Sequence, residues 1–500
     1  MPPFVKKIGK ELFVPNGRKF NTMKLSKYTL DDFSGGFSAH TGDDTMESKY
    51  TPNSYNVEAL GGSLKTMPGC SKYIDSEIIN NDRKYYAVQF FVYYSESMTL
   101  TSQLDKLVVV GSTFSTRGLF LYNSGAWTKL QGNISEKNMG GINCIYNNEN
   151  TLFICNSVDG IYTYNPLNSE IGYIDSAPGL GAMTLHYERI WGIGDTKNPN
   201  TVYYSAQSDF SDWDTTAENA DAGKLDVTTF DGDSFIGIAN VFDDVVLYRK
   251  KTLFRITGSS PSNYQLKQIP AASGAVGANA IANNGRYSFY IGQDGIYSYD
   301  GIRASLIEDN RLRFLFENRV NQSMLYNACA VIFGNKLYAA VPVDEAVYNN
   351  LVIEYDITSG VFNIRSGVDI INFGVYHNEL IFADNAGYVC VFDGSDKYKG
   401  TNIEAHYETP FFDFDNKNVT KTLDSIYFTA KGTGKIKITA ETENGITTKT
   451  VTLKNADKFD LYKINMYNTG RRFKFCFDNV DGSTFEITRP EFFLEADDED

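Results

Sequence analysis

Asp159-Gly-Ile-Tyr-Thr-Tyr-Asn165 and Asp294-Gly-Ile-Tyr-Ser-Tyr-Asp300 are near-copies of each other, about 135 residues apart in a chain of 500. In each, Asp-Gly supplies a tight turn, and Ile-Tyr-x-Tyr alternates as a strand does. Each follows a short apolar run: Thr151-Leu-Phe-Ile154 in one case, Tyr287-Ser-Phe-Tyr-Ile291 in the other. Five further pairs share this layout. They are Lys106–Val110 with Gly118–Tyr122, Arg189–Ile193 with Val202–Tyr204, and Asp244–Tyr248 with Leu253–Ile256. The last two are Lys336–Ala340 with Leu351–Asp356 and Glu379–Phe382 with Tyr388–Asp393. The first apolar residues of the seven pairs recur at a mean step of about 45 residues, the period of a four-stranded propeller blade. A lone hairpin buries one face and is marginal, whereas sheets stacked around an axis bury both. Paired β-sandwiches would show short strands without this longer period. The sequence therefore predicts an all-β fold: an irregular β-propeller of about six to eight blades.

One segment departs from the rhythm. Asp309 stands as an N-cap, and Leu312, Leu315 and Arg319 follow at helical spacing, so a helix of about three turns is expected over 309–321. After Gly400 the repeat stops. Lys435–Thr439, Thr450–Leu453 and Arg472–Phe477 alternate as strands, and Glu443-Asn-Gly445 reads as a hairpin turn. About seven strands in residues 403–494 suggest a β-sandwich. The division expected is an extended N-terminal arm and blade-closing segment over 1–80, a propeller over 81–400, the sandwich over 403–494, and an acidic tail over 495–500.

Composition agrees with strands. Tyr (33), Phe (34) and Trp (3) make up 14 % of the chain, and Gly is 42. Most of these aromatics are needed as core. Lys and Arg number 46 against 61 Asp and Glu, a net charge of −15. That balance argues against a protein that coats nucleic acid. It is uneven: the first 30 residues carry +6 and the remainder −21. Such asymmetry reads either as solvated termini or as a contact code between subunits. No apolar run reaches the length of a membrane span, and the start lacks the apolar centre of a secretory signal.

Chemistry-bearing motifs are missing. The chain has no P-loop, HExxH, GxSxG or complete EF-hand loop. Asp231-Gly-Asp233 has calcium-type residues without the rest of a loop and reads as a turn. Ser208-Asp-Phe-Ser-Asp-Trp213 only faintly matches a sialidase Asp-box. Trp213-Asp214 is the single Trp-Asp pair, and the Gly doublets do not fit kelch repeats. His40, His186, His377 and His406 share no ligand spacing, so no zinc site is expected. Cys70, Cys144, Cys155, Cys329, Cys390 and Cys476 form no CxxC pair and read as buried thiols. No catalytic, cofactor-binding or metal residue is assigned, and no cofactor is expected.

Several blocks resemble tailed-phage tail proteins. Asp32-Phe-Ser-Gly-Gly-Phe37, Asn53-Ser-Tyr-Asn-Val57 and Leu60-Gly-Gly-Ser-Leu-Lys-Thr-Met-Pro-Gly69 match an N-terminal pattern that precedes a propeller in that family. Ala222–Asp233 with Val246–Gly258, and then Gly285–Gly301, match two later blocks in the same order. The chain thus resembles the tail nozzle, or tail-tubular-protein-B-like, family. It is shorter than many nozzle subunits and lacks obvious insertion domains, so a hub or head–tail stabilising role is the near relative of that reading. The resemblance implies a non-enzymatic virion tail protein made in the host cytoplasm. Its partners would be itself, as a ring (a hexamer in this family), other tail or head–tail connector proteins, and genomic DNA that passes through the lumen without specific binding. Two other classes compete: a propeller glycosidase or depolymerase of host surface polysaccharide, which needs two carboxylates in a funnel, and a receptor-binding adhesion module.

Overall fold

A computed structural model describes residues 25–39, 46–95, 104–135, 139–168, 171–218, 220–228, 232–307 and 311–496. The chain divides into two compact units, and both are discontinuous in sequence. One combines residues up to Cys70 with Ile353–Gly367 and Asp393–Asp500; the other comprises Ser71–Val352 and Val368–Phe392. The boundaries expected at 80, 400 and 403 are therefore displaced. Long-range strand pairing, which no local composition shift marks, makes the division.

The larger unit holds most of the propeller. Among the described residues, seven sheets follow one another along the chain. Their first strands are Arg83–Tyr93, Met139–Tyr146, Ala182–His186, Phe235–Val241, Ile281–Asn283, Cys329–Phe333 and Asn372–Tyr376. Side chains of Gln89 and Asn143 tie Arg83–Tyr93 to Met139–Tyr146, each later first strand neighbours the next, and the last returns to Arg83–Tyr93. The seven apolar pairs of the repeat are the second and third strands of these sheets. The two Asp-Gly-Ile-Tyr copies occupy equivalent places, as the third strands Gly160–Tyr164 and Ile296–Tyr299. Cys70–Ile74 lies beside Val389–Phe392 in the seventh sheet.

Burial on both faces explains why the second strands read as unbroken apolar runs. In Glu149–Asn156, Leu152 and Ile154 pack with Val108, Val110 and Leu119 of the preceding sheet. Phe153 and Cys155 point the other way, to Met183 and Ile190 of the following sheet. The alternation repeats in Asp244–Arg249: Val245 and Leu247 meet Trp191 and Val202, while Val246 and Tyr248 meet Tyr290 and Tyr297.

Asparagine amides bond across several pairs of neighbouring first strands. Asn143 Nδ2 donates to the Val92 carbonyl, Asn240 Nδ2 to that of Leu185, and Asn283 Nδ2 to that of Asn240.

The helix is shorter than expected. It spans only Arg313–Asn318, with Leu312 at the N-cap position and no side-chain cap. Asp309 lies outside the described residues. Leu315 and Phe316 are buried, and Arg319 pairs with Asp344 at 3.0 Å. Fewer than two turns are enough to cover this apolar patch, and Arg319 stands at the C-cap.

The smaller unit is a nine-stranded sheet folded over on itself as a sandwich. Two long strands, Lys421–Thr442 and Lys474–Ala496, pair antiparallel along almost their whole length. Register shifts at 433/435 mark the bend. Gly432 sits there at φ 142° with the Thr484 carbonyl where a Cβ would go, so no larger residue fits the bend. Residues 403–494 do not form this module alone. They supply five strands, and the N-terminal segment adds Leu25–Thr29, Asn53–Tyr55, Val57–Leu60 and Ser63–Thr66. Leu30, Phe33, Val57 and Leu64 complete the core around Phe428, Ile436, Phe475 and Phe492. Lys27 binds Glu491 at 2.5 Å, so one charge of the basic N-terminus is matched within the chain. Residues 1–24, which carry the other basic residues of that stretch, lie outside the described residues. Of the acidic tail, Glu495 and Ala496 continue the strand, and 497–500 are likewise outside.

Candidate functional site

A cluster of ionisable side chains builds on three adjacent strands of the smaller unit. His406 lies directly opposite Asp478, Glu408 opposite Cys476, and Lys437 opposite Asp478 on the other side. Side chains two apart share a face. Tyr407, Phe475 and Phe477 therefore point into the core, and His406, Glu408, Lys474, Cys476 and Asp478 line the outer face.

His406 Nδ1 is 2.6 Å from Asp478 Oδ1, and its Nε2 is 3.7 Å from Glu408 Oε2. Lys474 Nζ donates to Glu408 Oε1 at 2.7 Å, and Lys437 Nζ reaches Asp478 Oδ2 at 3.1 Å. Tyr55 stacks on the imidazole at 5.3 Å. Burial works against a charged His406, but the hydrogen bonds to Asp478 and Glu408 outweigh it and raise its pKa to about 9. Burial would raise both carboxylates, yet their bonds to His406 and the two lysines hold them below the usual range. Burial pushes the Cys476 thiol up to about 12. The imidazole is thus a cation at neutral pH and the thiol is protonated.

A cleft of about 690 Å³ opens in the same unit, lined by Tyr28, Phe411, Phe412, Phe414, Asp413 and Asp415, with Arg472 at its wall. The Arg472 guanidinium lies 4.8 Å and Lys474 Nζ 4.6 Å from the centre of the Phe411 ring. Asp413 Oδ1 accepts the Asp415 amide, which closes the turn that carries both acids.

Other residues singled out in the sequence serve packing. All six cysteines are free thiols, five of them buried; burial pushes Cys144 and Cys155 up to about 12. His186 is buried, and that burial lowers its pKa; His40 and Asp231 lie outside the described residues. Asp233 accepts the Lys251 amide. In Ser208–Trp213, Phe210 and Trp213 enter the core and Asp209 caps a turn through Ser211. Sequence spacing missed the partners of His406, because Cys476 and Asp478 lie about 70 residues away. The alternation of Phe475 and Phe477 was the available signal that the residues between them face outward.

No protein-family model matches the chain, and no curated protein matches it. Among solved structures it is similar to BamB from Moraxella catarrhalis, at 9 % identity over 70 % of this chain and 95 % of that one, with a TM-score of 0.40. It is also similar to BBS1N as crystallised in complex with ARL6DN, at 10 % identity over 66 % of this chain and 97 % of that one, with a TM-score of 0.38. Function does not carry across at such identities.

Proposed function

We propose that the chain is a structural subunit of a bacteriophage virion tail, assembling with copies of itself into a ring through which DNA leaves the particle. The reading rests on the order of the matched blocks: the Gly-Gly, Asn-x-x-Asn and Pro-Gly segments first, then a propeller, then a closing β module. The first of these blocks has a packing reason for its residue types. Gly36 at φ 64° lies against the Phe362 carbonyl, and Asn56 at φ 57° bonds both ways with Ser366. A ring would repeat one heterologous interface around an axis. A net charge of −15 would keep a DNA-conducting lumen from holding its cargo.

Light scattering and electron microscopy of the purified full chain test this reading. A closed ring, six-fold by the resemblance, that docks on tail particles and does not retain duplex DNA at moderate salt is expected. A monomer that turns over host-envelope glycans, or binds a receptor by itself, overturns it in favour of the enzyme or adhesion reading.

A further inference from the structure

We propose that His406, Glu408 and Cys476 form a binding site for a divalent, borderline-soft metal ion of the zinc type, with Asp478 as the group that orients the histidine. The inference is independent of the tail reading.

The ligand atoms of the three residues all lie within 4.8 Å of one another. Around tetrahedral zinc, bonds of about 2.0–2.3 Å place such atoms roughly 3.3–3.8 Å apart. His406 Nε2 and Glu408 Oε2, at 3.7 Å, already meet that spacing. The Cys476 thiol lies within 4.8 Å of both other ligand atoms, and the three residues stand on paired strands. The fourth position falls to solvent, since the three residues are partly exposed on the outer face.

The surroundings match those of a metal-bound histidine. Such a ring donates its second N–H to a carboxylate, which fixes the tautomer and aims the other nitrogen. Asp478 stands in this place at 2.6 Å from Nδ1, and is itself held by Lys437. Glu408 keeps Lys474 on its other oxygen, which leaves Oε2 for the ion. One nitrogen, one carboxylate and one sulfur select zinc, or cobalt as its probe, over calcium or magnesium, which take oxygen alone. Binding is a proton exchange. Sγ of the thiol, and Nε2 where it is protonated, release their protons to solvent as the ion arrives.

Chelator-stripped, reduced full-length protein titrated with Co(II) tests the site. One equivalent should give a thiolate-to-cobalt charge-transfer band and the ligand-field bands of tetrahedral cobalt, both erased by Zn(II). Cys476→Ser should lose the charge-transfer band while circular dichroism is unchanged. His406→Gln should weaken cobalt at least tenfold, and Asp478→Asn about 10- to 100-fold. Should the cysteine variant fail to fold, His406→Gln and Asp478→Asn decide, since both leave the thiol in place and are still expected to weaken cobalt by these factors. No band at stoichiometric cobalt, the same band in Cys476→Ser, or unchanged cobalt affinity in both His406→Gln and Asp478→Asn overturns the proposal.

Discussion

The rings of Phe475 and Phe492 stack with centroids 4.1 Å apart and planes 27° from parallel, although both belong to the single strand Lys474–Ala496. A straight strand of that length would hold them far apart at about 3.3 Å per residue. They meet because the strand bends and lays its second half over its first, and both rings are fully buried. Phe492→Ala therefore opens a cavity between the two layers of the sandwich. Its expected cost is about 3–5 kcal/mol, read as a lower denaturant midpoint. A loss under about 1 kcal/mol would mean that the two layers do not close on these rings.

Asn56 holds the N-terminal segment to the smaller unit from a left-handed backbone position. Its amide donates to the carbonyls of Ser366 and Glu404, and its Oδ1 accepts the Ser366 amide. Asn56→Ala removes three hydrogen bonds at a buried site and also forces a β-carbon residue without compensation into φ 57°. A loss of about 2–4 kcal/mol is expected in equilibrium unfolding. Asn56→Gly, which recovers the backbone share, should lose about 1 kcal/mol less. Equal losses would show that backbone conformation contributes nothing here.

Stability of the metal-free protein should depend on pH through His406. Its folded pKa, about 9, lies above the ordinary 6.5. The folded state thus binds the proton more tightly than the unfolded chain. The resulting stability is complete below about pH 6.5 and is lost as pH rises through about 9, at most about 3 kcal/mol in all. Glu408 and Asp478 act in the opposite sense. Their pKa values are depressed, so their share is present above the ordinary carboxylate range and falls away in acid. Denaturant titrations in chelator should show a plateau between these limits, and His406→Gln should flatten its alkaline edge. An unchanged alkaline slope in that variant would assign the dependence to other groups.

The repeat could be read from the sequence because its information is local. An apolar second strand, an Asp-Gly or similar turn, and a third strand ending in an aromatic recur within about 20 residues. Val245 to Tyr248 are apolar without a break because neighbouring sheets cover both faces, and that pattern survives in any one sequence. The helix was legible in kind but not in extent, since Arg319 keeps the helical spacing although it pairs with Asp344 beyond the helix.

Composition and alternation determined that this chain is all-β, that it repeats with a period of about 45 residues, and that residues after 400 belong to a different module. The tertiary structure alone decided which strands complete which sheet. Leu25–Thr29 joins the C-terminal strand 474–496, and Cys70–Ile74 lies in the seventh propeller sheet. It also decided that His406, Glu408 and Cys476 share one outer face. The physical reason is the same in each case. A strand's alternation says which side is apolar, but its partner and register depend on contacts closed over tens to hundreds of residues, where a one-residue slip would turn Cys476 inward and Phe477 out.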